Sequence, residues 1–171
     1  MEYPLIYDLL SRTKGLKMRV SMKTDYAFRV LFTLVEHYQR GPIPIRELAR
    51  RNEVPKRFLE KIMLEMKAKG WVTSAMGKQG GYVLAKSPAK IKAGEVIRHF
   101  DGVLAPIGCV SVFQYEPCSQ EPVCRFRRLF LDVRNHAARL MDSATLESIF
   151  HGKPVRQEEV FNMELTGGAG I

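Results

Sequence analysis

The sequence predicts a mainly α-helical fold with one small β-hairpin and a long helix in its second half. Apolar residues recur at helical spacing over most of the chain, and one glycine-rich turn separates two short runs typical of strands. The chain has 171 residues, enough for one hydrophobic core with an added helix for oligomerisation. Its hydrophobic content of 46% and charged content of 26% are ordinary for a globular protein.

Three helices are predicted in the first half of the chain. The first spans 22–38 and is ended by a Gly-Pro pair, and the second spans 45–51. Pro55 is predicted to be the first residue of the third helix, because that position needs no amide donor, and Gly70 to close it. The apolar face of this third helix is predicted to comprise Phe58, Leu59, Ile62, Met63 and Met66.

A β-hairpin is predicted directly after these helices. The run WVTSA, the turn MGKQGG and the run YVLA give a strand, a glycine-rich turn and a second strand. Two short helices joined by a tight turn form a helix-turn-helix, and a hairpin that follows forms its wing. The predicted fold class is therefore mainly α with a small β-hairpin wing: a winged helix-turn-helix plus a long dimerisation helix.

The second half is predicted to contain a short helix at 93–100, a long loop at 101–123 and an amphipathic helix at 124–141. The apolar stripe of the last helix is close to heptad spacing, which is typical of a helix that pairs with a second copy. The predicted domain organisation is an N-terminal extension at 1–17 that is either disordered or an upstream start, a winged helix-turn-helix DNA-binding domain at 18–92, a short helix and cysteine-bearing loop at 93–123, a dimerisation helix with a short C-terminal helix at 124–150, and a flexible tail at 151–171.

The charge of the chain favours a polyanionic partner. Lys and Arg number 27 against 18 Asp and Glu, which gives a formal net charge of +9. No apolar run approaches the ~18 residues of a membrane span, and the first residues lack the features of a signal peptide. The expected partner is double-stranded operator DNA, the expected compartment is the cytoplasm, and no membrane partner is expected.

The third helix is predicted to read DNA. A recognition helix needs hydrogen-bonding side chains on the exposed face of its N-terminal half, which enters the major groove. Basic side chains there also contact phosphates, and a wing reaches a neighbouring phosphate or the minor groove. The candidate DNA-binding residues are Arg46, Lys56, Arg57, Glu60, Lys61, Lys78 and Gln79. The alternative interpretation is that these charged side chains are solvated surface groups.

The three cysteines, Cys109, Cys118 and Cys124, lie within 16 residues in the pattern C-x8-C-x5-C. An odd number of thiols in a small protein argues against a disulfide framework. Three soft ligands close together favour a metal or an iron–sulfur cluster, and the C-x2-4-C spacing of a structural zinc site is absent. The alternatives are three inert buried thiols or a redox-active thiol pair.

Four segments of the chain match a known pattern: MRVSMKTDYAFRVL, IRELARRNEVPKRFLEKIMLEMKAKGWV, GKQGGYVLAKSP and IKAGEVIRHFDG. Over 18–150 the chain resembles the IscR/NsrR type of bacterial winged-helix transcription regulators, of the Rrf-two superfamily. The resemblance implies a homodimer that pairs through the long helix. It also implies an iron–sulfur cluster, [2Fe-2S] or [4Fe-4S], held by Cys109, Cys118 and Cys124.

The resemblance implies different fourth ligands in different subgroups. The cluster-assembly regulators use a histidine three residues after the last cysteine, where this chain has Arg127. The nitric-oxide-sensing subgroup uses an aspartate in the first helix of the partner subunit, and Asp25 stands at that place; its other interpretation is a helix-start carboxylate. Met76 stands where some members carry a wing arginine, and Lys78 is its candidate substitute. The next candidate ligands are Glu116, Glu121 and His136.

The predicted function is a transcription regulator, a repressor, whose operator affinity is controlled by a cluster that senses iron, nitric oxide or redox stress. One alternative is a cluster-free regulator of the same fold that uses its cysteines as a thiol redox switch or responds to a small effector. A thiol- or metal-dependent enzyme is the remote alternative, because the sequence offers no nucleophile–base pair and no C-x-x-C motif. The protein is therefore expected not to be an enzyme.

Overall fold

The computed structural model describes residues 19–77 and 80–161. Its helices are α1 (Met22–Glu36), α2 (Ile45–Arg51), α3 (Lys56–Ala68), α4 (Ala93–Asp101), α5 (Phe126–Ser143), α6 (Leu146–Phe150) and α7 (Gln157–Phe161). Two antiparallel strands, β1 (Val72–Ala75) and β2 (Gly81–Leu84), form the hairpin, which confirms the predicted fold class. The predicted extension at 1–17, the predicted contacts Lys78 and Gln79, and the end of the predicted tail at 162–171 lie outside the described residues. No helix within the described residues is long and apolar enough to cross a membrane.

The hydrophobic core lies between α1, α3 and the elements packed around them. On α1, Ala27, Val30 and Leu31 recur at helical spacing and are fully buried. On α3, Leu59, Ile62, Met63 and Met66 are fully buried. The four on α3 are among the five residues that the amphipathic pattern assigned to its apolar face, so the third helix is held by one face and leaves the opposite face to solvent.

The start of α1 is fixed by Ser21. Its Oγ accepts a hydrogen bond from the backbone N–H of Thr24 at 3.3 Å, which caps the helix. Its own backbone N–H donates to Asp101 Oδ2 at 2.9 Å. Because Asp101 is the last residue of α4, this bond joins the beginning of the helix-turn-helix to the point where the cysteine-bearing loop starts.

The third helix differs from its prediction in two details. Pro55 is the N-cap residue rather than the first helical residue, and its carbonyl accepts from the amides of Phe58 and Leu59. Gly70 follows the C-cap with φ +68°, as a closing glycine should. Placing Phe58 in the core was wrong: it is 39% exposed, because it lies on the first turn with its ring edge-on against Tyr26 at 5.8 Å between centroids.

The wing is anchored to the chain segment just before α2. Strand β2 pairs with β1 in the register Val72↔Leu84. On its other side, Tyr82 exchanges two backbone hydrogen bonds with Ile43, at 2.9 and 3.0 Å. A Cβ at Gly81 would overlap the carbonyl group of Ile43, so the close approach requires glycine there.

Helix α5 is 18 residues long and has no buried residue. One face, with Ala137, Ala138 and Met141, lies over α4. Another face carries a stripe of exposed apolar side chains: Phe126 (71%), Leu129 (58%), Val133 (39%) and Leu140 (64%). The helix begins and ends two residues later than predicted, within the usual variation of helix ends.

Candidate functional site

The candidate DNA-binding side chains of α3 lie at its N-terminal half. Lys56, Arg57 and Lys61 are exposed, and Glu60 is half-buried. Glu60 pairs with Lys56 at 3.1 Å, one turn apart. Such an exposed pair is weak, so base edges or phosphates can compete for both side chains. The structure therefore brings four of the predicted contacts to one helix surface.

The charges of α2 are divided between paired and unpaired arginines. Glu47 accepts hydrogen bonds from Arg50 and Arg51, and these contacts lower the pKa of Glu47 to about 2. All three side chains are partly exposed to solvent, so dissolved salt screens the attraction between Glu47 and the two arginines. Within 19–77 and 80–161, Arg46 and Arg57 take part in no ion pair, which leaves their charges available to phosphates.

The wing stands beside α3, the predicted recognition helix. Lys67 Nζ on α3 donates to Ser74 Oγ on β1 at 2.7 Å, which ties the two elements together. At the tip, Met76 is 99% exposed and Gly77 has φ +115°. The predicted wing contacts Lys78 and Gln79 follow directly but lie outside the described residues.

The three cysteines are free thiols on the loop between α4 and α5. Cys109 lies in a short 3-10 turn and Cys124 just before α5; both are half-buried and both line one cleft of about 530 Å³. Cys118 is exposed and does not line this cleft. Among the residues that the structure describes, no three His, Cys, Asp or Glu side chains form a group that could hold a metal. The structure thus brings two of the three thiols to one cleft.

The candidate fourth ligands are scattered. Asp25 lies on the first turn of α1, half-exposed, and pairs with Arg29 at 2.8 Å. Glu116 packs over Gly108, the residue that precedes Cys109. A Cβ on that glycine would lie 2.8 Å from Glu116 Oε2. Glu121 is engaged by Tyr115 and by the backbone of Cys118, and His136 is exposed on α5.

A polar junction that the sequence did not reveal joins α1, α3 and α4. Lys23 Nζ pairs with Glu65 at 2.8 Å and lies 5.1 Å from the centre of the Phe100 ring. His99, 20% exposed, packs edge-on against Trp71, with its Nε2 3.5 Å from Glu65 Oε2. Burial lowers the pKa of His99, and the nearby charges of Lys69 and Lys23 act in the same direction, whereas Glu65 opposes them.

Sequence reasoning also missed two arginines that hold the cysteine-bearing loop. Arg127, considered only as the replacement of a histidine ligand, donates to the carbonyl of Cys109. Arg134 donates from Nη1 to the carbonyl of Val110 at 2.6 Å. The two arginines are seven residues apart, which places them two turns apart on one helix face. This spacing could have identified them as a pair from the sequence.

Comparisons with known proteins agree with this architecture. A family model named Rrf2 and described as "Iron-dependent Transcriptional regulator" matches residues 20–152. The chain belongs to the Rrf2 family. An HTH-type transcriptional regulator of Rhodobacter capsulatus, described as rrf2-like, is 38% identical over 136 residues, which cover 76% of this chain and 91% of the relative. This Rrf2-family chain is accordingly a DNA-binding transcription regulator.

Two solved structures show the same Rrf2-family fold. CymR of B. subtilis, described as the global cysteine regulator, matches with a TM-score of 0.66 and 28% identity, over 77% of this chain and 95% of that one. T. potens IscR matches with a TM-score of 0.59 and 25% identity, over 89% and 93% of the two chains.

Proposed function

We propose that this Rrf2-family regulator binds operator DNA as a homodimer and acts as a repressor under the control of an iron–sulfur cluster. The observation that carries the proposal is the set of three free thiols on one loop, two of them lining one cleft against α5. Thiolates are the ligands that iron–sulfur clusters prefer. Cys109, Cys118 and Cys124 would hold the cluster, with Asp25 of the partner subunit as the candidate for the remaining site.

The donor set fits such a group. All three ligands are soft and none is consumed in a disulfide within the described chain. Cys118 stands on the exposed part of the loop with its backbone N–H bonded to Glu121, so cluster binding would need its side chain to turn toward the cleft. When bound, the cluster supplies a redox- and nitric-oxide-sensitive centre whose loss would release the three thiols.

The loop has a physical route to the DNA-binding helix. Asp101, at its start, accepts from the amide of Ser21, and Lys23 on the following turn pairs with Glu65 of α3. A change in the loop can therefore bias α1 and α3 together. A coupling free energy of about 1–3 kcal/mol is typical of such linkage.

Anaerobic reconstitution with iron and sulfide tests the proposal. The wild-type protein should turn brown, and Cys109→Ala, Cys118→Ala and Cys124→Ala should each lose the visible chromophore. Asp25→Ala should assemble a less stable cluster. A wild-type protein that carries no iron, or a full chromophore after any one cysteine is removed, contradicts the cluster. An Asp25→Ala protein identical to wild type moves the fourth ligand to Glu116, Glu121 or His136.

A thiol redox switch is the second candidate function. It is favoured by the position of Cys109 and Cys124 on one cleft, where an oxidant such as a peroxide would remove two electrons and two protons and join the two sulfurs in a disulfide. The likeness to CymR, described as the global cysteine regulator, supports the broader alternative of a cluster-free regulator of the same fold that responds to a small effector. Mild oxidation of iron-free protein, followed by mass analysis and operator binding, distinguishes the two: a disulfide that changes operator affinity without any iron favours the switch.

A further inference from the structure

One side chain ties the helix that follows the last cysteine to the main chain of the first cysteine. Arg127, three residues after Cys124 on α5, donates from Nε and Nη2 to the carbonyl oxygen of Cys109 at 3.3 and 3.2 Å. The same guanidinium lies 3.2 Å from Glu121 Oε2. Both contacts of Arg127 therefore fall within the cysteine-bearing loop, and the one to Cys109 is made to a main-chain atom.

The carboxylate of Glu121 extends this network to the middle cysteine. Its Oε1 accepts from the backbone N–H of Cys118 at 3.1 Å, and its Oε2 accepts from the Tyr115 hydroxyl at 2.6 Å. The hydrogen bond from Tyr115 is the main cause of a lowered pKa of Glu121, helped by the Cys118 amide and the Arg127 charge. The Glu121 side chain is 17% exposed, and its carboxylate takes part in three contacts, with Tyr115, the Cys118 amide and Arg127.

Helix α5 holds the loop at a second point. Arg134, two turns after Arg127, donates to the carbonyl of Val110, the residue after Cys109. Two arginines on one face of a rigid helix thus bind two successive carbonyls. Arg128 offers a contrast: it lines the same cleft, but its hydrogen bond is to Asp132 of its own helix, at 3.1 Å.

We propose that Arg127 and Glu121 are positioning residues for the thiol site. Through main-chain contacts they hold the segments of Cys109 and Cys118 at fixed separations from the helix that follows Cys124, before any cofactor binds. Without these restraints the loop must lose more conformational entropy when its three thiols converge on one centre. The inference rests on the proposed function only in that the three thiols act jointly.

Trivalent arsenic, supplied as arsenite, is the probe, because it bonds up to three thiolates and needs neither sulfide nor iron. Its dissociation constant is measured by calorimetry on the full-length, reduced, iron-free protein. Arg127→Gln and Arg127→Lys should each weaken arsenite binding about tenfold, a typical loss when a group that orients metal ligands is removed. Arg128→Gln, which removes the same charge from the same cleft, should bind arsenite like the wild type.

Arg127→Lys separates positioning from electrostatics. Lysine keeps the positive charge but cannot donate two hydrogen bonds in a fixed plane, so it should behave like Arg127→Gln if geometry matters. Wild-type affinity in Arg127→Lys, or equal loss in Arg128→Gln, overturns the proposal. The proposal is also overturned if single substitutions of the cysteines leave arsenite binding at the wild-type level.

Hydrogen exchange gives a readout without any bound probe. In Glu121→Ala the amide of Cys118 loses its acceptor and should exchange faster, whereas Glu121→Gln retains an acceptor oxygen and should protect it partly. Far-ultraviolet circular dichroism and thermal unfolding verify that each variant is folded. If arsenite binding follows these expectations but reconstitution yields no cluster, the proposed function fails and the positioning role stands; unchanged exchange in Glu121→Ala contradicts the positioning role.

Discussion

Among single residues, Arg57 is the side chain on which specific DNA binding should depend most. It projects from the first turn of α3 and is in no ion pair within the described ranges, so its guanidinium is available to a guanine edge. Arg57→Ala should weaken binding to an operator selected from random DNA and relax discrimination at one base pair by about 1–3 kcal/mol. Fluorescence anisotropy with operator variants measures both effects.

The control for Arg57 is Arg156→Ala, an exposed arginine in the segment before α7. It should leave operator affinity unchanged. Equal loss of affinity on every DNA sequence would make Arg57 a phosphate contact, and no loss at all would contradict the assignment of α3 as the recognition helix.

His99 should make folding stability depend on pH. Its pKa is lowered in the fold from an unfolded value near 6.5, mainly by burial, with Lys69 and Lys23 adding to the shift and Glu65 opposing it. As the pH falls through that value, the unfolded state therefore binds more protons than the folded state, and the free energy of unfolding decreases. Urea unfolding at about pH 7.5 and about pH 5.5 measures this decrease in the free energy of unfolding. The decrease should be smaller in His99→Phe, which keeps the aromatic packing, than in the wild type. An identical loss in both proteins would assign the pH dependence to other groups.

At the scale of elements, the wing depends on a close contact between main chains. Because a Cβ at Gly81 would overlap the Ile43 carbonyl, Gly81→Ala must push β2 away from the segment before α2. The free energy of unfolding should fall by about 1–3 kcal/mol, the usual cost of overpacking. Urea denaturation measures this change, and a variant as stable as the wild type would show that the wing can shift freely.

The exposed stripe of α5 should hold a homodimer. Its apolar residues fall at heptad spacing on a helix that has no buried residue in the single chain. Leu129→Glu combined with Val133→Glu should give monomers with poor operator affinity, as measured by analytical ultracentrifugation and anisotropy. Arg139→Glu, exposed on the same helix but off the stripe, should remain dimeric; a wild-type monomer at micromolar concentration would contradict the interface.

The elements themselves were largely predictable from the sequence, and the reason is local. The bounds of α2 were predicted to the residue, because Leu48 and Ala49 face the core and residues that disfavour a helix stand on both sides of this short segment. Gly70 closes α3 as expected, since few other residues adopt φ +68° at low cost. Phe58 was assigned wrongly because helical spacing alone does not distinguish a ring that packs on the surface from one inside the core.

The loop between α4 and α5 was far less predictable, because its order comes from side chains that meet across many residues. The bond from Arg127 to Cys109 spans 18 residues and that from Arg134 to Val110 spans 24. No periodic pattern encodes such contacts. The three thiols could be identified as a group from their spacing, but which of them share a cleft could not.

For the whole molecule, the state of the thiol loop should change operator affinity. The loop begins at Asp101, which holds Ser21, and the neighbouring Lys23 holds α3 through Glu65. Cluster-loaded and iron-free protein should therefore differ in operator affinity by about 5–150-fold, the range of typical coupling free energies. Anaerobic anisotropy titrations of both forms measure the ratio; equal affinities would mean that the loop and the DNA face are independent.

The contacts of Ser21 bear on where translation of the gene is taken to begin. Two internal methionines, Met18 and Met22, stand near this residue as alternative initiation points. A polypeptide initiated at Met18 keeps Ser21, whereas one initiated at Met22 loses its cap on Thr24, its carbonyl bond to the Asp25 amide at 3.0 Å and its amide bond to Asp101. The shorter product would begin with a free amino group at the first residue of α1 and would lack these contacts, so the turn that carries Lys23 and Asp25 would fray more readily.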